Sequence, residues 1–230
     1  MTAAPQTILI VGASRGLGLG LVAEHLARGF DVIATVRKPE DEAGLKALPG
    51  AERLTLHQID VTSDADIARL VAQLSAPLDI AFINAGVSGP KSVVSADADT
   101  LNQVMQANVF GPVRLAHALL GHVREQTGTL AFMSSIMGSI AENESGGMEV
   151  YRASKAAQNS LARSLWLTAA RPFGITVLSI HPGWVRTDMG GSGADIDVAT
   201  SVAGIADQLA ANAGAQAHRF IDYTGREIAW

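Results

Sequence analysis

At 230 residues and 23.9 kDa, with 48% hydrophobic and 17% charged side chains and a mean hydropathy of +0.22, the chain has the apolar content of one substantial core and too little charge for disorder. Its net charge of −5, from 17 Lys and Arg against 22 Asp and Glu, argues against a polyanion such as DNA or RNA as partner. Lack of cysteine excludes disulfides, thiolate metal sites and a cysteine nucleophile, and no metal is expected, because none of His25, His57, His117, His122, His181 and His218 pairs at i, i+4 or sits in a zinc motif.

In chain order, residues 7–11 (TILIV) read as a buried strand that ends in glycines, followed by a helix over 17–28. The run has strand length and no basic flank before it, so it is not read as a signal peptide, and the expected location is the cytoplasm. Strands follow at 31–36, 53–58 and 78–83, with a helix near 64–74 capped by Ser63 or Asp64. A long helical stretch over 98–121 crosses Gly111-Pro112, where a bend is expected. Then come a strand at 129–134, a helix at 150–170, a strand at 175–180, a helix near 198–212 and a short strand near 218–222. Apolar strands alternating with helices predict a parallel sheet covered on both faces. The expected fold is therefore a single α/β domain over 1–230, doubly wound in the Rossmann manner, with about seven parallel strands. No segment has the roughly 18 apolar residues of a membrane helix, so no membrane partner is expected.

The first strand runs into Gly12-Ala13-Ser14-Arg15-Gly16-Leu17-Gly18, which opens the first helix. Glycines there allow a tight turn and let a pyrophosphate approach the N–H groups of the helix start. The spacing is G-x3-G-x-G, and the Lys-Ser/Thr of a P-loop is missing, so the reading as a dinucleotide site leans on context. An NAD-preferring site usually has a carboxylate at the end of the second strand for the ribose 2′-hydroxyl. Here that end reads Val36-Arg37-Lys38, with Asp31 at the wrong end of the strand. Arg37 and Lys38, with Arg15, suit a 2′-phosphate instead, so NADP(H) is the expected cofactor.

Tyr151 and Lys155 stand at i, i+4 on one predicted helix and share a face. A lysine cation near a phenol favours the phenolate and is expected to lower the tyrosine pKa toward working pH. A tyrosine so tuned can give a proton to a carbonyl oxygen as hydride arrives, or take one from an alcohol in reverse.

With these motifs the sequence resembles the short-chain dehydrogenases/reductases along nearly its whole length. The ordered set comprises GASRGLG, Asp60-Val61, Asn84-Ala85-Gly86, Asn108, Ser134-Ser135, Tyr151-x3-Lys155 and Pro182-Gly183-Trp184-Val185-Arg186-Thr187. The longer stretches SSIMGS, YRASKAA, HPGWVRTDMGG and FIDYTGREIAW are similar to the small carbonyl-reductase branch that includes the C-factor and Sniffer proteins. The resemblance implies that Asp60 meets the adenine amino group with the Val61 backbone beside it, and that Asn84, Ala85 and Gly86 line the adenosine-ribose side. It implies that Ser135, favoured over Ser134 by strand alternation and the distance to Gly138, binds the substrate carbonyl, and that Tyr151 donates the proton. Lys155 would hold the nicotinamide ribose and tune Tyr151, with Asn108 supporting a water-linked path to that lysine. Pro182 and Gly183 lead into the backbone of Val185 and the hydroxyl of Thr187, which would fix the nicotinamide carboxamide. The whole set falls at C-terminal strand ends, where open α/β sheets bind ligands.

Two features depart from the wider family: the 16-residue step from Ser135 to Tyr151, and a short glycine-rich stretch after Thr187 where others carry a longer lid. Met137, Met148, Trp184 and Met189 flank the site and read equally as pocket or core. Arg186, Arg152 and Glu149 are weak candidates for a polar substrate contact, so an uncharged hydrophobic ketone or aldehyde is expected, reduced to its alcohol. The alternative is a cofactor-binding signalling or regulatory protein of C-factor type. A methyltransferase would leave Tyr151, Lys155 and Arg37 unexplained, and a sugar epimerase would need an added substrate domain. A homodimer is expected from the family, with Leu161, Leu165 and Trp166 facing either a partner or the sheet.

Overall fold

In the computed structural model, which describes residues 5–230, the apolar runs form one seven-stranded parallel sheet. Residues 1–4, on which the reading against a signal peptide partly rests, lie outside the described residues. The strands are β1 (Thr7–Val11), β2 (Asp31–Val36), β3 (Leu54–Gln58), β4 (Ile80–Ile83), β5 (Thr129–Met133), β6 (Thr176–His181) and β7 (His218–Asp222). Their order across the sheet is β3-β2-β1-β4-β5-β6-β7, so the winding reverses between β1 and β4. That reversal opens a crevice at the C-terminal strand ends.

Strand alternation divides the core in two. Ile8 and Ile10 face one layer, where they meet Leu21, Val22 and Leu26 of α1 (Gly16–Ala27) and Val202, Ile205 and Leu209 of α7 (Val198–Ala211). Leu9 and Val11 face the other, against α3 (Asp64–Gln73), α5 (Gly111–Leu119) and α6 (Glu149–Leu165), through Ile67, Leu70, Leu115, Leu119 and Leu165. Leu165 is thus part of the chain's own core, while Leu161 and Trp166 are half-buried and pack against the same cluster.

Helix starts follow their caps. Ser63, one of the two residues expected to cap α3, accepts from the Asp66 N–H at 3.2 Å; Asp97 and Asp197 do the same for α4 (Ala98–Met105) and α7. The stretch expected as one bent helix over 98–121 is α4, a π-turn at Gln106–Phe110, and α5. The π-turn falls just ahead of Pro112, which has no N–H to continue the ladder. The helix expected to reach residue 170 likewise turns to π geometry at Trp166–Ala170. Sequence reading missed a 3-10 turn at Pro39–Glu42 leading into α2 (Ala43–Lys46), although Pro39 at its first position and three following acids are a start signal.

Candidate active site

The first strand leaves the sheet into a turn held by its neighbours. The Gly12 N–H donates to Thr35 Oγ1 at 3.2 Å, and the Ala13 N–H donates to the Thr35 carbonyl at 2.8 Å. Asn84 Nδ2, at the end of β4, donates to the Gly12 carbonyl at 2.7 Å. Gly12 adopts φ +85°, and a Cβ there would lie 3.0 Å from the backbone of Ala85. A Cβ on Gly18 would collide with the Gly12 carbonyl and come within 2.8 Å of Asn84 Nδ2. Asn84 therefore braces the glycine turn with its side chain. The start of α1 has Arg15 at its cap position and no side-chain cap, so the helix presents uncapped N–H groups to the crevice.

Arg37 stands exposed one residue past β2, beside this turn, and forms no ion pair among the described residues. Arg15 does: its guanidinium meets Asp188 at 3.2 Å, both groups largely exposed, which ties the glycine turn to the stretch after Thr187. Thr187 faces Gly16, and its Oγ1 accepts from the Gly190 N–H at 3.1 Å. Asp60 is exposed and accepts from the Thr62 N–H and hydroxyl; Val61 beside it is buried.

On the far side of the crevice, Ser134 and Ser135 at the end of β5 point different ways. Ser134 Oγ donates to Asn159 Oδ1 at 2.7 Å, inside the protein. The Ser135 side chain accepts from the Met137 N–H at 3.2 Å, and its hydroxyl is near enough to Tyr151 to favour the phenolate. Lys155 lies one turn along α6 with its Nζ 5.8 Å from the Tyr151 ring centre. The structure thus brings Ser135, Tyr151 and Lys155 together.

Burial dominates the protonation of this group. The Tyr151 phenol is pushed up to about 12 by burial, with the Ser135 hydroxyl pulling the other way. Burial lowers the Lys155 ammonium to about 8. The expected net lowering of Tyr151 is not what this arrangement gives, because burial of the phenol prevails; the ammonium itself is bonded to the Met133 carbonyl at 2.7 Å and to Gln158 Oε1 at 3.2 Å. Asn108 does not reach the open crevice. Its side chain accepts from the Val87 N–H at 2.7 Å and donates to the Val87 carbonyl at 2.8 Å and to Ser154 Oγ at 3.0 Å, which makes it a brace for the loop after β4.

The three charged residues singled out near the mouth are occupied. Glu149 accepts from the Val93 N–H and the Ser92 hydroxyl, which hold its carboxyl below the usual range. Arg152 bonds the carbonyls of Gly146 and Gly147, and Arg186 those of Ala194 and Asp195. None of Met137, Met148, Trp184 and Met189 is in the buried core; Trp184 and Met189 are exposed, and the Trp184 indole N–H donates to the Gly190 carbonyl at 2.9 Å. Val94 and Ile140, on the loops flanking Tyr151, are exposed as well.

A glycine turn at a reversing parallel sheet, facing a Ser–Tyr–Lys group, defines an oxidoreductase of a known kind. The chain belongs to the short chain dehydrogenase family, whose pattern it matches over residues 6–195. It is similar to a carbonyl reductase from Pseudomonas aeruginosa PAO1 solved in complex with NADP, at 40% identity over 99% of this chain and 100% of that one, with a TM-score of 0.91. It is also similar to the carbonyl reductase Sniffer of D. melanogaster, at 32% identity over 98% and 100% of the two chains, with a TM-score of 0.88. The C-signal protein of Myxococcus xanthus is 38% identical over 156 residues, 67% of this chain and 93% of that protein.

Proposed function

We propose that this protein is an NADP(H)-dependent carbonyl reductase, a single dinucleotide-binding domain that reduces an uncharged hydrophobic ketone or aldehyde to its alcohol. The observation that carries the reading is the gathering of Ser135, Tyr151 and Lys155 in the crevice that the glycine turn opens, with the Lys155 Nζ 5.8 Å from the Tyr151 ring centre and the Ser135 hydroxyl favouring the phenolate. The residues present fit the dinucleotide. The uncapped start of α1 offers its N–H groups to a pyrophosphate, the close-packed Gly12 and Gly18 let the turn that presents them form, and Arg37 stands exposed for a 2′-phosphate. Asp60 and the Val61 backbone serve the adenine, Ala85 and Gly86 the adenosine ribose, and Lys155 the nicotinamide ribose. Pro182 and Gly183 carry the Val185 backbone and Thr187 to the carboxamide.

When bound, the nicotinamide supplies the hydride. Ser135 and Tyr151 each donate a hydrogen bond to the substrate carbonyl oxygen, and Tyr151 then gives up its proton to that oxygen. A phenol held at about 12 keeps its proton at neutral pH, which suits the reductive direction. Lys155, an ammonium below about pH 8, stabilises the phenolate that is left. With Glu149, Arg152 and Arg186 engaged elsewhere and Val94, Ile140, Trp184 and Met189 exposed around the mouth, the site offers apolar contact.

The test of the cofactor assignment is initial rates with NADPH and NADH over a panel of hydrophobic aldehydes and ketones, for the native chain and Arg37→Ala. NADPH is expected to be preferred at least about tenfold, and Arg37→Ala to raise the KM for NADPH by about tenfold while leaving that for NADH little changed. Faster turnover with NADH would overturn the assignment. The likeness to C-signal favours a second reading, a signalling protein that binds the cofactor; the assembled Ser135, Tyr151 and Lys155 weigh against a role in binding alone. A cytoplasmic location accords with the lack, among the described residues, of a helix long and apolar enough to cross a membrane. The homodimer rests on the family resemblance, since Leu165 serves the chain's own core, and sedimentation of the purified protein decides it.

A further inference from the structure

Lys155 is 2% exposed, and two of its three N–H donors are committed, one to Met133 and one to Gln158. The second bond leads onward. Gln158 is fully buried three residues further along α6, and its Nε2 donates to the main-chain carbonyl of Asn108 at 2.9 Å. The sequence explains why that carbonyl is available. In a regular helix it would accept from the N–H four residues on, and that residue is Pro112. The amide orientation follows from chemistry: only Oε1 toward the ammonium and Nε2 toward the carbonyl gives both neighbours a complementary partner.

A carboxamide accepts at one end, donates at the other and keeps its own hydrogens. We propose that Gln158 is a positioning residue for Lys155, its carboxamide clamping the ammonium to the kinked main chain at Asn108. This rests on the reading of Lys155 as the group that serves Tyr151. The Oε1 acceptor favours the charged lysine, in opposition to burial. The other groups around the ammonium are the Met133 carbonyl from β5, the backbone of Gly86 after β4, Asn108 from the π-turn, and Tyr151 on α6 itself. Of these only Tyr151 titrates.

Two variants test the clamp, Gln158→Leu, which removes the acceptor, and Gln158→Glu, which keeps the shape and adds a charge. One readout is the alkaline limb of kcat/KM for NADPH-dependent reduction. The other is the NMR titration of the Lys155 ε-methylene in the cofactor-free protein, one of four lysines. Gln158→Leu is expected to move both midpoints down by about one pH unit and to lower kcat about tenfold, with the carbonyl KM changed less than about twofold. Gln158→Glu is expected to move both midpoints up by about one unit or more. Opposite shifts establish the clamp. A glutamine that only fills space would lower the melting temperature and leave the midpoints where they are, and that result overturns the proposal. Should Gln158→Leu fail to fold, the near-isosteric Gln158→Glu decides alone, an unmoved midpoint being the contrary result. Lys155→Met is the control: if it still turns over, the reading of the active site fails, and the NMR titration still judges the clamp. If it is inactive while both Gln158 variants titrate as the native chain does, only the clamp fails.

Discussion

Lys155 carries a charge sealed from water, with a folded pKa of about 8 against the ordinary 10.5. Between those two values the native chain holds fewer protons at this site than the unfolded chain, so this group makes stability rise with pH across that window. Below pH 8 the full cost of the buried charge is present, about 3 kcal/mol from the size of the shift. Urea unfolding of the native chain and Lys155→Met at pH 7.5 and pH 10 checks this. The native chain should gain on the variant by about 2 kcal/mol over that range, other ionisations cancelling in the difference. Parallel behaviour would contradict it. The residue types and spacing of the candidate site were legible in the sequence, because Tyr151 and Lys155 share a helix face and Ser135 closes a strand. Which way each polar atom bonds was not. Gln158 sits three residues past Lys155 inside YRASKAAQ, and nothing local marks it, since the carbonyl it holds is 50 residues earlier in the chain.

At the level of elements, the crevice depends on β1, β2 and β4 being tied at their C-terminal ends. Thr35, Asn84 and the Gly12 backbone are the ties, and Gly18 leaves the space in which they meet. Gly18→Ala would drive a methyl into the Gly12 carbonyl and against Asn84 Nδ2. It is expected to lose about 2–3 kcal/mol of stability and most of its dinucleotide affinity, measured by thermal unfolding and by nicotinamide fluorescence. Unchanged binding would show that the turn does not carry the cofactor. The strands and the larger helices were legible because each has a strong apolar period and, in α3, α4 and α7, a side-chain cap. The π-turns were not, since the signal at Gly111-Pro112 marks a break without saying how the chain absorbs it. The short turn at Pro39–Glu42 has a start signal and almost no apolar face, and none of its residues is buried.

For the whole molecule, the reversal of the winding between β1 and β4 converts seven strands into a site, by bringing segments 12–18, 84–87, 134–138 and 182–187 to one edge. That convergence was legible because each segment follows a strand. The orientation of the side chains within it had to come from the structure, as Asn84 and Asn108 illustrate by bonding backbone instead of facing the crevice. The central claim is that Tyr151 is the proton donor of a carbonyl reductase. The measurement that bears on it most directly is NADPH oxidation with a hydrophobic aldehyde by the native chain and by Tyr151→Phe, with NADPH binding followed by fluorescence in the same samples. The account predicts native turnover, a fall of at least about 10²-fold in kcat for the variant, and cofactor binding kept within a few fold. Turnover by Tyr151→Phe at the native rate would contradict it.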